Sequence, residues 1–294
     1  MAMFNVAKAR VKANRNHIKH KNNGFTLMEL IIVIIILGVM SVGIGGFITL
    51  STQTYVNVTE RDELTSSARF AIERLNREIR NAVPNSIRVA VDNSTNPTKQ
   101  CLEFVPIVAS TVYTKLAVIP DAPVNNLTVI PFLTLKNANY VCNSCGDRVI
   151  VYPLSPEDVY QNHNDNISKV FAIASYLDPV INLTAGNVNF AEYSPTSRAF
   201  IFNEPVSYCV EHGVLNRYSS YNFNHNQELP PNSNILNGSY SLMAQNVFFN
   251  KNNLPFTVLP ASLQRNAVVQ IKLNFTRDTE TVIFDHAIHI NNIP

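Results

Sequence analysis

The sequence lacks charged side chains over a long stretch: no Asp, Glu, Lys or Arg occurs from Leu30 to Thr59. Residues 1–24 lack acidic side chains and carry six basic ones, which are Lys8, Arg10, Lys12, Arg15, Lys19 and Lys21. Without these six positive charges, the formal net charge of +2 becomes −4. The remaining basic residues are scattered in a mildly acidic chain, and this excludes the extended basic surface that nucleic-acid binding requires.

The sequence also lacks the residue patterns of catalytic and cofactor sites. It contains no Gly-rich phosphate loop, no nucleophile elbow and no paired acids. His286 and His289 would point to opposite faces of a strand, which makes them a poor metal-binding pair. The segment NHNDNIS (residues 162–168) has too few carboxylates for a calcium loop of the EF-hand type, although a looser oxygen site stays open. We therefore expect no enzymatic activity, no cofactor and no metal centre.

The apolar segment 25–50 has the length of a membrane anchor. As a helix it would span about 39 Å, whereas the apolar region of a cleaved signal peptide has only about 7 to 15 residues. Because the basic flank precedes it, the positive-inside rule keeps residues 1–24 in the cytoplasm and places the rest of the chain across the membrane. Placing the Glu29 side chain within the bilayer costs about 2.5 to 3.5 kcal/mol of insertion free energy. A carboxylate inside a membrane segment is therefore by default functional. The alternative is an ordinary signal anchor with Glu29 at the cytoplasmic edge.

Two further regions follow the anchor. Residues 51–84 continue the helical period with an apolar stripe, and Pro84 ends it; the stripe consists of Leu64, Ala68, Ala71, Leu75, Ile79 and Ala82. Residues 85–294 alternate short β-branched runs with polar loops, and they include two hairpins that turn at Gly213 and near residues 277–279. The sequence thus predicts an α+β fold in which a long N-terminal helix packs on one antiparallel β-sheet.

All four cysteines, Cys101, Cys142, Cys145 and Cys209, lie in the part that is predicted to cross the membrane. An even number of cysteines in an oxidising compartment predicts disulfides. Three pairings exist, and we favour Cys142 with Cys145 as a local clip and Cys101 with Cys209 across the sheet. A zinc site is disfavoured because there is no second Cys-x-x-Cys pair.

The segment KNNGFTLMELIIVIIILGVM (residues 21–40) resembles the class III signal of type IV prepilins. It combines a basic leader, Gly24, the aromatic Phe25, Glu29 and an unbroken apolar helix. The resemblance implies that a prepilin peptidase cleaves after Gly24, that the new N-terminus at Phe25 is methylated, and that Glu29 serves filament assembly. It also implies as partners the other major and minor pilins and an inner-membrane assembly platform.

Later segments resemble one subgroup of these proteins, the minor pilins of the MshO kind from MSHA pili. The resemblance extends to PilW-like minor pilins and to the J minor pseudopilins of type II secretion. It is carried by SARFAIERLNREIRNAVPNSIRV (residues 67–89), the cysteine-bearing hairpin VSYCVEHGVLNRY and the ending HAIHINNIP. We expect a minor pilin that starts as a single-pass inner-membrane protein, then enters a surface pilus and takes part in its initiation, tip display or adhesion. A J-type pseudopilin and a plain anchored periplasmic binding protein are the alternatives.

Overall fold

The computed structural model describes residues 24–92, 99–161, 165–223, 239–260, 267–278 and 280–290. Residues 1–23 of the basic leader, the first part of NHNDNIS and the last four residues therefore lie outside the described residues. The chain divides into two compact units, Met1–Val56 and Asn57–Pro294, and each is described by itself.

The first unit contains the apolar part of helix α1 (Leu27–Arg80). The helix continues through Gly43, Gly45 and Gly46 without a break, and a Cβ added at any of these three glycines would meet nothing within 4 Å. All side chains from Leu27 to Leu50 are exposed, and most of them are large and apolar. A surface of this kind requires lipid or other apolar helices around it.

The second unit begins with the amphipathic part of α1. Its buried side chains are Leu64, Ala68, Ala71, Ile72, Leu75 and Ile79. They confirm the predicted stripe and form one side of the first hydrophobic core. Fully burying a Leu or Ile side chain contributes about 1.5 to 3 kcal/mol, so this stripe anchors the helix to the sheets beneath it. The helix ends at Arg80, four residues before Pro84.

Seventeen strands and one short helix follow in the described residues. In chain order they are β1 (Arg88–Asp92), β2 (Lys99–Phe104), β3 (Ile107–Lys115), β4 (Asn126–Val129), β5 (Arg148–Val151), α2 (Pro156–Tyr160), β6 (Ile167–Ser168), β7 (Val170–Leu177), β8 (Val180–Leu183), β9 (Asn189–Phe190), β10 (Arg198–Phe202), β11 (Val206–Glu211), β12 (Val214–Ser219), β13 (Ser239–Gln245), β14 (Val247–Phe248), β15 (Phe256–Leu259), β16 (Val268–Arg277) and β17 (Glu280–His289).

Two antiparallel sheets carry the first core together with α1. One has the strand order β1-β2-β11-β12-β13. In the other, β16 pairs with β17 along its whole length and with β14 and β15 along its second edge. Apolar side chains from both sheets, such as Phe104, Val210 and Leu273, meet the helix stripe. The α+β class is thus confirmed.

A six-stranded closed barrel, in the order β10-β3-β4-β8-β7-β5, has a second core of its own. The barrel lies in the chain between β2 and β11, although these two strands are neighbours in the first sheet, with Phe104 opposite Val206. The prediction of one sheet was therefore wrong, because the β-rich region contains an inserted barrel as well. Short strands of similar composition do not reveal which sheet they join, since pairing partners are distant in sequence.

Both predicted hairpins are present. The β11–β12 turn consists of His212 and Gly213, both with positive φ (48° and 78°), which is the backbone of a type I′ turn. A Cβ at Gly213 would approach the ring of Phe248 to 3.2 Å, so both conformation and space call for glycine there. The β16–β17 hairpin turns at Asp278 and Thr279, of which Thr279 lies outside the described residues.

Candidate functional site

The start of α1 is organised by Thr26. Its Oγ1 accepts a hydrogen bond from the Glu29 backbone N–H at 3.2 Å, and its carbonyl accepts one from the Leu30 N–H at 3.2 Å. Thr26 is therefore the N-cap of the helix, and the sequence Thr-x-x-Glu is that of a capping box. Sequence reasoning considered only the charge of Glu29 and missed this cap, although the four-residue pattern signals it.

Glu29 lies in the first turn of α1 with an exposed side chain. The positive end of the helix dipole stabilises a carboxylate there by about 0.3 to 1 kcal/mol. Insertion into lipid costs about 2.5 to 3.5 kcal/mol, so most of the penalty is not offset by the helix itself. A cationic partner at the same depth would relieve the remainder.

Gly24 and Phe25 precede the helix. A Cβ added at Gly24 would meet nothing within 4 Å, and this glycine does not have the positive φ that disfavours other residues. Neither space nor backbone conformation therefore calls for glycine at position 24. The Phe25 side chain is 83% exposed, beside the equally exposed Leu27 and Met28. The residues on both sides of the bond between Gly24 and Phe25 are thus accessible in the folded chain.

The four cysteines form two disulfides. Cys101 on β2 bonds to Cys209, which lies directly opposite on β11, and Cys142 bonds to Cys145 within one short loop. These are the two pairings favoured above. The first disulfide lies on the two strands from which the barrel is inserted, and both of its cysteines are buried.

A buried charged network covers the outer face of the first sheet beside this disulfide. Arg88 on β1 pairs with Glu103 on β2, and their side chains are only 7% and 3% exposed. The Tyr221 hydroxyl donates to Glu103 at 3.0 Å, and the Arg88 guanidinium lies 3.6 Å from the centre of the Tyr160 ring. Burial raises the pKa of Glu103, against the opposing effect of Arg88 and of its hydrogen bonds.

A second charged cluster ties α1 to the same sheet. Glu78 accepts hydrogen bonds from Arg74 on the helix at 3.1 Å and from Arg217 on β12 at 3.0 Å. The Glu78 side chain is 21% exposed, so these pairs are partly shielded from water. The cluster therefore sets the position of the helix on the sheet as well as adding attraction.

Two other features considered in the sequence analysis are the histidine pair of β17 and the membrane-spanning helix. His286 is half-buried and His289 exposed, on opposite faces of β17 as alternation predicts. Among the described residues, no group of three or more His, Cys, Asp or Glu side chains is placed to hold a metal ion. α1 is the one helix in these residues that is long and apolar enough to cross a membrane.

Comparison with known proteins identifies the N-terminal segment. Residues 19–45 match the prokaryotic N-terminal methylation motif. No curated protein and no solved structure matches the chain. The motif, together with the apolar part of α1, indicates a single-pass membrane-anchored protein that associates with pilins and with the prepilin peptidase. The methylation motif thus indicates a protein of the type IV pilin and pseudopilin family.

Proposed function

We propose that this protein is a non-enzymatic minor pilin of an MSHA-like type IV pilus, which joins other minor subunits to start or cap the filament. The observation that carries the proposal is the methylation motif at residues 19–45, which includes the accessible Gly24–Phe25 bond and Glu29. A pseudopilin of the J type shares this motif, and a plain anchored binding protein does not need it.

The proposed assembly step depends on two charges. Cleavage after Gly24 produces a cationic amine at Phe25, and this amine is poorly solvated at the membrane edge, like the carboxylate of Glu29. When the amine of an incoming subunit meets Glu29 of its neighbour, both desolvation penalties fall, and the pair also specifies register. Glu29 in this proposal is a recognition group for assembly, and its capped position in the first turn keeps it close to the new N-terminus.

The first experiment is mass spectrometry of the N-terminal peptide from two fractions of one culture, sheared surface fibres and washed inner membranes. We expect an N-methylated peptide that begins at Phe25 in the fibres. The same peptide confined to membranes, with exoproteins retained in the periplasm of a deletion strain, would assign the chain to a secretion system instead. An intact leader in both fractions would contradict the prepilin interpretation.

Three variants separate processing from assembly. Gly24→Val should abolish cleavage without disturbing the fold, because Gly24 is exposed and a Cβ added there would meet nothing within 4 Å. Glu29→Gln should be processed normally but lost from fibres. Glu73→Gln, which neutralises an exposed carboxylate on the same helix outside the apolar part, is the matched control and should enter fibres like the wild type. Equal incorporation of the two Gln variants would disprove the role of Glu29.

A further inference from the structure

Strand β17 (Glu280–His289) forms a free edge of its sheet. It pairs with β16 on one side, and no described strand pairs with its other side. Since Arg277 and Glu280 flank a two-residue turn, they form a hydrogen-bonded pair, and the bonded positions alternate from there. The residues whose backbone N–H and C=O groups point to the free edge are therefore Thr281, Ile283, Asp285, Ala287 and His289. Among the described residues, no other backbone hydrogen bond uses these groups.

This edge lacks the usual protection of edge strands, which are short, bulged or carry Pro or Lys. β17 has 10 residues in unbroken register with β16 and contains no proline, lysine or arginine. Other strands at sheet ends in the described part of the chain are protected. The barrel is closed, β1 lies beside β15, and β13 has a bulge at Met243. β17 is thus an edge to which a further strand can be added.

The side chains of β17 include unpaired groups of complementary kinds. Ile283 on the outer face is 60% exposed, and Val282 and Phe284 on the core face are only half-buried. The Nε2 atom of His286 is buried and has no hydrogen-bond partner among the described residues. Glu280 takes part in none of the ion pairs found there. The segment Glu280–His286 therefore has a carboxylate at one end, an imidazole at the other and apolar surface between them.

A second copy of this segment is complementary to the first when the two run antiparallel and Ile283 lies opposite Ile283 of the second copy. The other opposed pairs are then Thr281 with Asp285, Val282 with Phe284, and Glu280 with His286. Hydrogen-bonding, apolar and opposite-charge pairs of these kinds each stabilise a sheet. A register centred on Asp285 would instead oppose two carboxylates, and one centred on Phe284 would place Ile283 opposite Asp285. The complementarity thus favours the register centred on Ile283.

We propose that two copies of this chain associate through β17, which pairs with itself in antiparallel direction about a two-fold axis at Ile283. The partner is a second copy because the segment Glu280–His286 matches itself in charge and in apolar surface. Such an interface is closed, since each copy uses its one free β17 edge. The inference goes beyond the assembly role proposed above and does not depend on it.

Cross-linking tests the register directly, with the full chain in detergent micelles. The four native cysteines form two disulfides, so an introduced cysteine is the one free thiol. Ile283→Cys should give a disulfide-linked dimer on mild oxidation, because Cα atoms of a hydrogen-bonded antiparallel pair lie about 5.5 Å apart. Ala287→Cys is the matched control, since it is exposed on the same edge but its two Cα atoms would lie about 27 Å apart. We expect at least tenfold less dimer from this control.

Sedimentation equilibrium of the same micelles tests the association without a cross-link. We expect a dimer of the wild-type chain, and Ile283→Lys should raise its dissociation constant tenfold or more because two ammonium groups would be opposed. Ala287→Lys introduces the same charge outside the paired segment and should leave the dissociation constant unchanged. Both positions are exposed, so both variants should fold, as circular dichroism will check.

Each other outcome would overturn the proposal. A monomeric wild-type chain would show that the edge does not bind a second copy, whether or not it accepts a strand of a different subunit. A dimer that survives Ile283→Lys would be held elsewhere, for example by the apolar part of α1. Equal cross-linking of Ile283→Cys and Ala287→Cys would exclude the register. None of these results bears on the processing at Gly24 or on the role of Glu29, which the fibre experiments test separately.

Discussion

Arg88→Met should destabilise the folded domain far more than removal of an exposed arginine. In the variant, Glu103 stays buried and loses Arg88, its one ion-pair partner among the described residues. The Tyr221 hydroxyl remains bonded to it. Breaking one side of a buried pair costs about 3 to 5 kcal/mol. With a urea dependence of about 3 kcal/mol per M, the midpoint of unfolding falls by about 1 to 1.7 M.

The assay is urea unfolding of the full chain in micelles, followed by near-ultraviolet circular dichroism of its tyrosines. Arg88→Met/Glu103→Leu removes both charges and should recover most of the loss, because apolar replacement of a buried pair is often neutral. Arg277→Met removes the exposed partner of Glu63 and should leave the midpoint unchanged. A small effect of Arg88→Met, or no recovery in the double variant, would refute the argument that this pair is desolvated.

The pH dependence of Arg88→Met gives a second check on the same reasoning. Burial raises the pKa of Glu103, and the loss of the guanidinium raises it further. A carboxyl whose pKa is higher in the folded than in the unfolded state binds protons preferentially when folded. The stability of the variant should therefore increase as the pH falls from neutral towards the ordinary glutamate value, and this increase should exceed that of the wild type. Equal pH profiles would show that Glu103 is hydrated.

Three further results are expected. Burial acts to raise the pKa of Glu211, but hydrogen bonds from its tyrosine and lysine partners lower it overall. The ionised Glu211 therefore stabilises the folded state, and this stability is lost on acidification below about pH 4.5. Glu211→Gln should remove that pH-dependent loss, as measured by urea unfolding at several pH values. Replacing Cys101 and Cys209 by Ala should cost about 2 to 4 kcal/mol, and opening the short clip at Cys142 much less, because the first disulfide closes a loop of 108 residues. Replacing residues 105–205 by an Asn-Gly turn removes Tyr160 from the outer face of the first sheet, but it should leave β2 paired with β11 and the helical circular dichroism retained.

Much of the helix and many strands were predictable, because their signals are local. An apolar stripe at helical spacing identifies the packed face of α1 from Leu64 to Ile79, and the turn at Gly213 has the residue type that its backbone requires. The accessible segment from Gly24 to Glu29 also follows from local sequence. The cap formed by Thr26 is also a local signal, because Thr26 and Glu29 stand at the spacing of a capping box.

The buried network and a cleft on the barrel could not be predicted in this way, because they depend on pairing between distant residues. Arg88 alternates with apolar neighbours on β1 and has the pattern of a solvent-facing residue. It is buried because Tyr160 of α2 and Tyr221, which are distant in the chain, cover that face of the sheet. In the same way, Tyr176 and Arg198 meet in one cleft only after the barrel closes.

The barrel is attached to the first sheet through two adjacent strands, β2 and β11. β2 and β11 would form an ordinary hairpin if the barrel were absent, and the disulfide between Cys101 and Cys209 joins them close to that point. The barrel has its own core, whereas the helix stripe packs on side chains of the two other sheets. Changes in the barrel can therefore alter its cleft without disturbing the packing of α1. In the function proposed above, subunit assembly depends on the helix, so the barrel can change while assembly is maintained.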